Sequence, residues 1–581
     1  MKERAPKGLT RRQLLAGAGA TAASAGVISL SSCQSSATFD WHHETDILVV
    51  GSGVGAATAA LTAHANGDAV MMIEKANFLG GTSMKSAGVL WVPNNFTLKD
   101  RGIEDRKEDC IRYQARFSYP ERYDSNDAKL GLSDQEFALL ESFYDNASAA
   151  VNSLRNTGSL NVGEWRMFFL DRPATDYLDH VPENKVPAGR ALGPLRADGT
   201  MGGGGDLMQQ LGQAVADRGI PTLLGHRAVK LIQDDDQVIG VQADAGGKAV
   251  NIRASKAVIF ATGGYAHNAE KNNAWQPMRL YGSCAMPAAE GDFIDIATAA
   301  GASLGNIGGA WRTQILLEEA LVSPQLAAGV FFPSGDSAFQ VNKYGVRVVN
   351  ENRNYNDRTE AHGLYDSTHA EFPNQLLFMI YDARTAGGFA GVYPVPEDSA
   401  TAGHVLRGQT LGELTAAIQA RLGEIKASTG GLELDTSFAA NLKETIKRFN
   451  SFAETGEDAD FQRGKHAYDS EWHQVFSPMK PDSGWPENKY PSVTMHPLSD
   501  KGPYYAIILA AGALDTCGGT VIDAKARVLD SEDQPIAGLY GAGNCIASPS
   551  GDAYYGAGHT LGMSMTFGYI AANAAHSEAR K

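Results

Sequence analysis

One stretch, Thr45 to Lys75 (TDILVVGSGVGAATAALTAHANGDAVMMIEK), constrains this chain more than any other. Ile47, Leu48, Val49 and Val50 form an apolar run that ends in Gly51-Ser52-Gly53-Val54-Gly55-Ala56, and a second run, Met71-Met72-Ile73, ends in Glu74-Lys75. Strand, glycine turn, helix, strand and terminal acid together make a dinucleotide-binding unit. Gly51 permits the tight turn and Gly53 lets the backbone approach a pyrophosphate. Ala56 is small enough for the helix to lie close on the sheet, so phosphate oxygens meet the helix N-terminus. Glu74 is placed to accept hydrogen bonds from a ribose. The expected fold class is therefore α/β, with a Rossmann-like sheet.

Gly80-Gly81-Thr82-Ser83 and Ser86-Ala87-Gly88 come next, and no second fingerprint occurs in the 581 residues. This layout resembles the flavoprotein group that includes fumarate reductases and 3-ketosteroid dehydrogenases, in which such a glycine-rich segment lies along bound FAD. The resemblance implies FAD as cofactor, with Lys75, Gly81, Thr82, Ser83, Ala87 and Gly88 against it. Val258 to Gly264 (VIFATGG) is similar to the strand and loop that close the nucleotide site in two-dinucleotide-type flavoproteins, which adds Ala261, Thr262 and Gly263. Gly538 to Asn544 (GLYGAGN) and Leu561 contribute Gly543, Asn544 and Leu561 in the same way. Gly291-Asp292 matches a further segment of the group, except that Phe293 stands where a glycine is usual.

Length makes two domains the default, and 43% hydrophobic with 20% charged residues is ordinary for a folded globular chain. A net charge of −16 without any basic run argues against nucleic acid as a partner. Cys33, Cys110, Cys284, Cys517 and Cys545 show no ligand spacing, so no metal site is expected. Residues 1–33 read as an export signal. A basic start and Thr10-Arg11-Arg12-Gln13-Leu14-Leu15 precede an Ala/Gly-rich apolar stretch, the layout of a twin-arginine signal, which carries folded, cofactor-loaded proteins. Leu30-Ser31-Ser32-Cys33 resembles a lipoprotein processing site, so the expected location is the periplasm or a membrane, with Cys33 as a possible tether and 34–44 as linker.

Residues 45–305 and 501–581 read as an FAD-binding domain, interrupted at 306–500 by an α+β catalytic cap. In the cap, Leu411, Leu414, Ile418, Leu422 and Ile425 mark one helix face, and Phe438, Leu442, Ile446 and Phe449 another. Phe339 to Asn342 and Val346 to Glu351 look like a hairpin. Asp460 to Gly464 matches a cap segment of this flavoprotein group.

The last 80 residues bear on the reaction. Fumarate reductases carry a histidine before paired glycines and an arginine in an N-R-L-G-G segment that clamps a dicarboxylate. Here Leu514-Asp515-Thr516-Cys517 precedes Gly518-Gly519, and no arginine lies between Gly543 and Phe567. A dianionic substrate would lack its partner. Tyr554, followed by Gly558 before Thr560-Leu561-Gly562, instead resembles the 3-ketosteroid dehydrogenases. The resemblance implies that Tyr554 and Gly558 hold the 3-keto oxygen of a steroid, that Tyr355 abstracts a proton beside it, and that Tyr177 assists Tyr355. From spacing alone, Tyr177 reads as a surface aromatic in a Pro-rich loop. A phenol with pKa near 10 is a poor base at neutral pH unless its surroundings lower that value, which gives a second tyrosine a purpose. His559 and Tyr555 depart from the family pattern and are expected to narrow the pocket. The function implied is 1,2-dehydrogenation of a 3-ketosteroid, with 4-ene formation as the alternative. An enoate reductase of fumarate or urocanate type and a non-catalytic flavin carrier are more distant readings, and the electron acceptor is left open.

Overall fold

The computed structural model describes residues 40–167 and 170–581. Arg11, Arg12 and Cys33, and with them the export and lipid expectations, lie outside these residues. His43–Val50 forms the expected first strand and is buried from Thr45 onward. It pairs in parallel with Val70–Glu74 on one side and Ala249–Phe260 on the other. Thr222–Leu224 continues the parallel set beyond Val70–Glu74, and Pro535–Gly541 continues it beside Ala249–Phe260. Strands covered on both faces read as unbroken apolar runs, which is why these segments were visible in the sequence. Arg227–Asp234 and Gln237–Asp244 pair about an acidic turn and join the sheet antiparallel. The glycine-rich turns follow the carboxyl ends of the parallel strands, where ligands bind in open α/β sheets.

Val54–Ala65 lies on the sheet with Ala56, Ala59, Ala60 and Ala63 fully buried, and it packs against the C-terminal helix His559–His576. A second, five-stranded antiparallel sheet contains Ala310–Leu316, Ala338–Val341, Leu376–Asp382, Val405–Gly408 and Tyr504–Thr516. Tyr504–Thr516 lies beyond residue 500, yet as a strand it pairs with Ala310–Leu316, Leu376–Asp382 and Val405–Gly408. Leu411–Glu424 and Phe438–Thr455 are helices whose predicted apolar faces join one core with this sheet. Each Leu, Ile or Phe so buried contributes roughly 1.5–3 kcal/mol. The expected hairpin at 339–351 forms only in part. Its second arm makes a single bridge, Val341 to Arg347. Arg347 and Glu351 turn inward instead, into a buried ion network with Asp458 and Arg463.

Candidate active site

One continuous cavity runs from the carboxyl end of the parallel sheet to the second sheet. Gly51 (φ +110°) makes its first bend, and a Cβ there would stand 2.4 Å from the Ala261 carbonyl oxygen. The helix Val54–Ala65 opens at Gly53, which has no side chain to cap it, and carries no acid in its first turn, so the dipole at its N-terminal end favours an anion. Ser83 Oγ accepts from the Val54 amide at 3.1 Å. Glu74 takes hydrogen bonds from the Ser52 hydroxyl at 2.6 Å and the Ala76 amide at 2.8 Å. Lys75 is paired with Glu290 (3.0 Å) and Asp292 (2.8 Å).

Gly51, Gly53, Glu74, Lys75, Gly81, Thr82, Ser83, Ala87, Gly88, Ala261, Thr262, Gly263, Gly543, Asn544 and Leu561 all line this cavity. Ala56 does not; it is fully buried and serves helix-to-sheet packing. The Thr262 hydroxyl lies buried on the wall without a partner. A long glycine-walled groove, a helix N-terminus with no acid in its first turn, a carboxylate at a strand terminus and a buried wall hydroxyl together fit FAD.

Tyr177, Tyr355, Tyr554 and Gly558 line the same cavity. The three tyrosines are buried and in mutual contact. Tyr177 stacks on Tyr554 (5.4 Å between centroids, 19°), and Tyr355 stands edge-on to both, 5.7 Å from Tyr177 and 5.4 Å from Tyr554. The Tyr177 hydroxyl donates to the Tyr355 hydroxyl at 3.0 Å. Tyr355 opens the short helix Tyr355–Thr359, capped by the Asn354 side chain. Gly558 (φ +83°) precedes the C-terminal helix, and a Cβ on it would lie 2.3 Å from the Val89 backbone, so this position tolerates only glycine.

The reading of Tyr177 as a surface aromatic is overturned. Its neighbour Asp176 is anchored by Arg190 (2.6 Å) and by the Trp91 indole N–H (2.8 Å), while Arg190 makes a two-pronged contact with Asp105 at 2.7 and 2.9 Å. The Tyr177 amide donates to the Tyr555 carbonyl at 3.0 Å, and Arg353 donates both to the Tyr177 carbonyl (2.5 Å) and to Asp469 (2.9 Å). The Pro-rich loop is therefore fixed by ion pairs and hydrogen bonds rather than by regular structure.

His559 and Tyr555 do not narrow the cavity, since neither lines it. Tyr555 turns away to hydrogen-bond Ser118 at 2.7 Å, and His559 Nε2 pairs with Ser550 Oγ at 2.8 Å, its ring against that of Tyr555. Burial holds His559 neutral, with its pKa pushed down to about 3.

The expected lowering of the phenol pKa is also corrected. Burial, followed by the neighbouring Tyr177 and Tyr554, pushes Tyr355 well above 10. Burial likewise raises Tyr177 and Tyr554, the latter against the hydrogen bonds of Tyr355 and Thr560. An aromatic box with no cation among the described residues disfavours a phenolate, and the hydrogen bonds with Tyr177 and Tyr554 add to the rise at Tyr355 instead of opposing it.

Sequence reasoning missed two parts of the wall. Trp165, Phe331, Trp472 and Phe476 give it an aromatic face. Trp472 and Phe476 are one helical turn apart and stack at 5.1 Å, a spacing that reads equally as core. Asp515 is a buried carboxyl on the wall, receiving the Gly264 amide (2.9 Å) and the Asn544 side chain (3.1 Å), with its pKa raised by burial.

Residues 46–561 match the FAD binding domain family. The chain is 31% identical over 560 residues to 4-oxocyclohexanecarboxylate 2-dehydrogenase of Sinomonas cyclohexanicum, covering 90% of this chain and 92% of that one. It is 29% identical to 3-oxosteroid 1-dehydrogenase of Mycolicibacterium smegmatis, covering 91% and 96%. Among solved structures, 3-ketosteroid delta1-dehydrogenase from Sterolibacterium denitrificans, in complex with 1,4-androstadiene-3,17-dione, superposes with a TM-score of 0.73 at 25% identity over 92% of this chain and all of that one. With the parallel sheet, the glycine-walled groove and the tyrosine cluster all belonging to one unit, the chain is a member of the FAD binding domain family and an FAD-dependent dehydrogenase of the 3-oxosteroid dehydrogenase type.

Proposed function

We propose that the protein desaturates a six-membered ring ketone between the carbons α and β to its carbonyl, with a 3-ketosteroid oxidised at carbons 1 and 2 as the leading case. The observation that carries this reading is the cluster of Tyr355, Tyr177 and Tyr554 beside Gly558 in the cavity that fits FAD. Tyr554 and the Gly558 amide hold the carbonyl oxygen, where enolate charge develops. Each such donor lowers the barrier by roughly 3 to 4 kcal/mol. Tyr355 takes the proton from the α carbon, and Tyr177 donates to the oxygen that receives it. Bound FAD supplies the acceptor for the hydride that leaves the β carbon. The aromatic face excludes water around the ring.

A 3-ketosteroid oxidised to the 4-ene uses the same groups, and the relative named for 4-oxocyclohexanecarboxylate supports a smaller ring ketone as a second reading. A dicarboxylate is disfavoured by the buried Asp515 carboxyl on the wall. Anaerobic mixing with a panel of ring ketones, with products identified, tests the proposal. Substrate should bleach the flavin and emerge as the α,β-unsaturated ketone, and a flavin left oxidised by every ring ketone would refute it. We also propose export through Arg11 and Arg12 and a lipid on Cys33. Replacing both arginines by lysine should retain precursor in the cytoplasm, and Cys33→Ala should release the mature form from membranes.

A further inference from the structure

We propose that Lys85 recognises an anionic group on the substrate, so that the ring ketone carries a carboxylate; the inference rests on the ring-ketone reading above. Besides His226, the acidic and basic side chains on the cavity wall are Glu74, Lys75, Lys85, Asp292 and Asp515. Lys75 is neutralised by Glu290 and Asp292, while Glu74 and Asp515 are occupied by hydrogen-bond donors. Lys85 alone brings a positive charge with no ion pair among the described residues. Its ammonium donates to two neutral carbonyls, Leu326 at 3.0 Å and Ala285 at 3.4 Å. Such acceptors aim an ammonium without discharging it, and one of its three N–H donors is left for a ligand.

Position decides which ligand. Lys85 ends the helix Gly81–Lys85. Ser83 of that helix turns its hydroxyl to the Val54 amide, at the end of the groove suited to phosphate, whereas Lys85 reaches the opposite way, to Ala285 and Leu326. From Lys85 the chain passes along the wall to Val89, whose backbone abuts Gly558. From Leu326 it passes through Ala327 and Ala328, also on the wall, to Phe331, whose ring meets Tyr355 at 5.1 Å. The ammonium thus sits where the segment leading to the carbonyl-holding glycine meets the segment leading to the proton acceptor. Lys85 lines the cavity and is exposed, so its ammonium is open to a ligand entering there. One cation and no arginine fork suit a monocarboxylate. A single-ring oxo acid and a 3-ketosteroid with an acidic side chain share that chemistry.

The test measures equilibrium binding to the FAD-loaded protein through the flavin absorbance change, using two matched pairs. One pair is 4-oxocyclohexanecarboxylate and 4-methylcyclohexanone; the other is a 3-ketosteroid with a carboxylate side chain and its neutral methyl ester. Within one pair the acid should bind more tightly, Lys85→Gln should lower the acid-to-neutral affinity ratio by about ten- to a hundredfold, and Lys85→Arg should keep most of it. The pair that responds identifies the ring system. FAD affinity is measured on the same variants, because the pyrophosphate is the competing anion. A ratio unchanged by Lys85→Gln overturns the inference, as does a loss of FAD affinity with the ratio intact. If ketones bind and bleach the flavin while the ratio stays flat, only this inference fails; if no ketone, acid or neutral, binds, the ring-ketone reading fails and takes it along.

Discussion

Under the proposed reaction, two identical side chains have different tasks. If Tyr355 is the proton acceptor, Tyr355→Phe leaves Tyr554 and Gly558 to hold the carbonyl, so ring ketone should still bind while flavin reduction nearly stops. Tyr554→Phe removes one oxyanion donor and should slow reduction by about two to three powers of ten, with the Gly558 amide retaining the rest. Rapid-mixing flavin reduction at saturating ketone, with binding measured separately, tells them apart; a parental rate in Tyr355→Phe would displace that residue from its role. The pH profile follows from the same environment. Burial and the neighbouring phenols push Tyr355 above 10, so the reactive phenolate is a minor species at neutral pH. kcat/KM should rise with pH by about tenfold per unit through the alkaline range, without levelling below pH 10, and the slope should vanish in Tyr355→Phe. A plateau near pH 7 would mean that bound substrate or flavin reverses the shift.

At the scale of elements, the turn before the C-terminal helix is the least forgiving piece of the site. A Cβ at Gly558 would lie 2.3 Å from the Val89 backbone, and the positive φ adds strain, so Gly558→Ala should displace both the Gly558 amide, the proposed carbonyl donor, and the segment from Ala87 to Val89. Loss of bound flavin on purification is the expected readout. The Asp105–Arg190–Asp176 contact holds the loop of Tyr177 with side chains that see no solvent. Arg190→Met strands two buried carboxylates and should cost about 3–5 kcal/mol in denaturant unfolding. These two cases show why the sequence was readable in parts. Gly51, Gly53 and the Ala261-Thr262-Gly263 turn announce themselves because the local backbone demands small residues next to one another in sequence. Tyr177 did not, because the rings that bury it, Tyr355, Tyr468, Trp472 and Tyr554, come from distant parts of the chain and meet it only when folded, while Arg190 and Trp91 fix the neighbouring Asp176. The orientations of His559 and Tyr555 were hidden for the same reason: sequence places them beside Tyr554, but Ser118 and Ser550 decide where they point.

For the whole molecule, three buried histidines set an acid limit. His362 is held down to about 4, and His473 and His559 to about 3, in each case chiefly by burial. Unfolding frees each to protonate near its ordinary 6.5. The stability they leave intact is therefore complete above about pH 6.5 and is lost as pH falls toward 3 to 4, by up to about 1.4 kcal/mol per pH unit for each histidine. Denaturant midpoints should drop between pH 6.5 and 4, and His559→Gln should make that drop shallower. The strand Tyr504–Thr516 has a consequence of another kind. It starts deep in the second sheet and ends with Asp515 and Thr516 receiving the amides of Gly264 and Tyr265, on the loop that closes the first. A hydrogen-bonded strand has a fixed length per residue and does not stretch. It works as a gauge rod laid between the two halves of the site: the reach from the tyrosines to the groove is a dimension built into the backbone, and substrates of different bulk must adjust to it rather than the reverse.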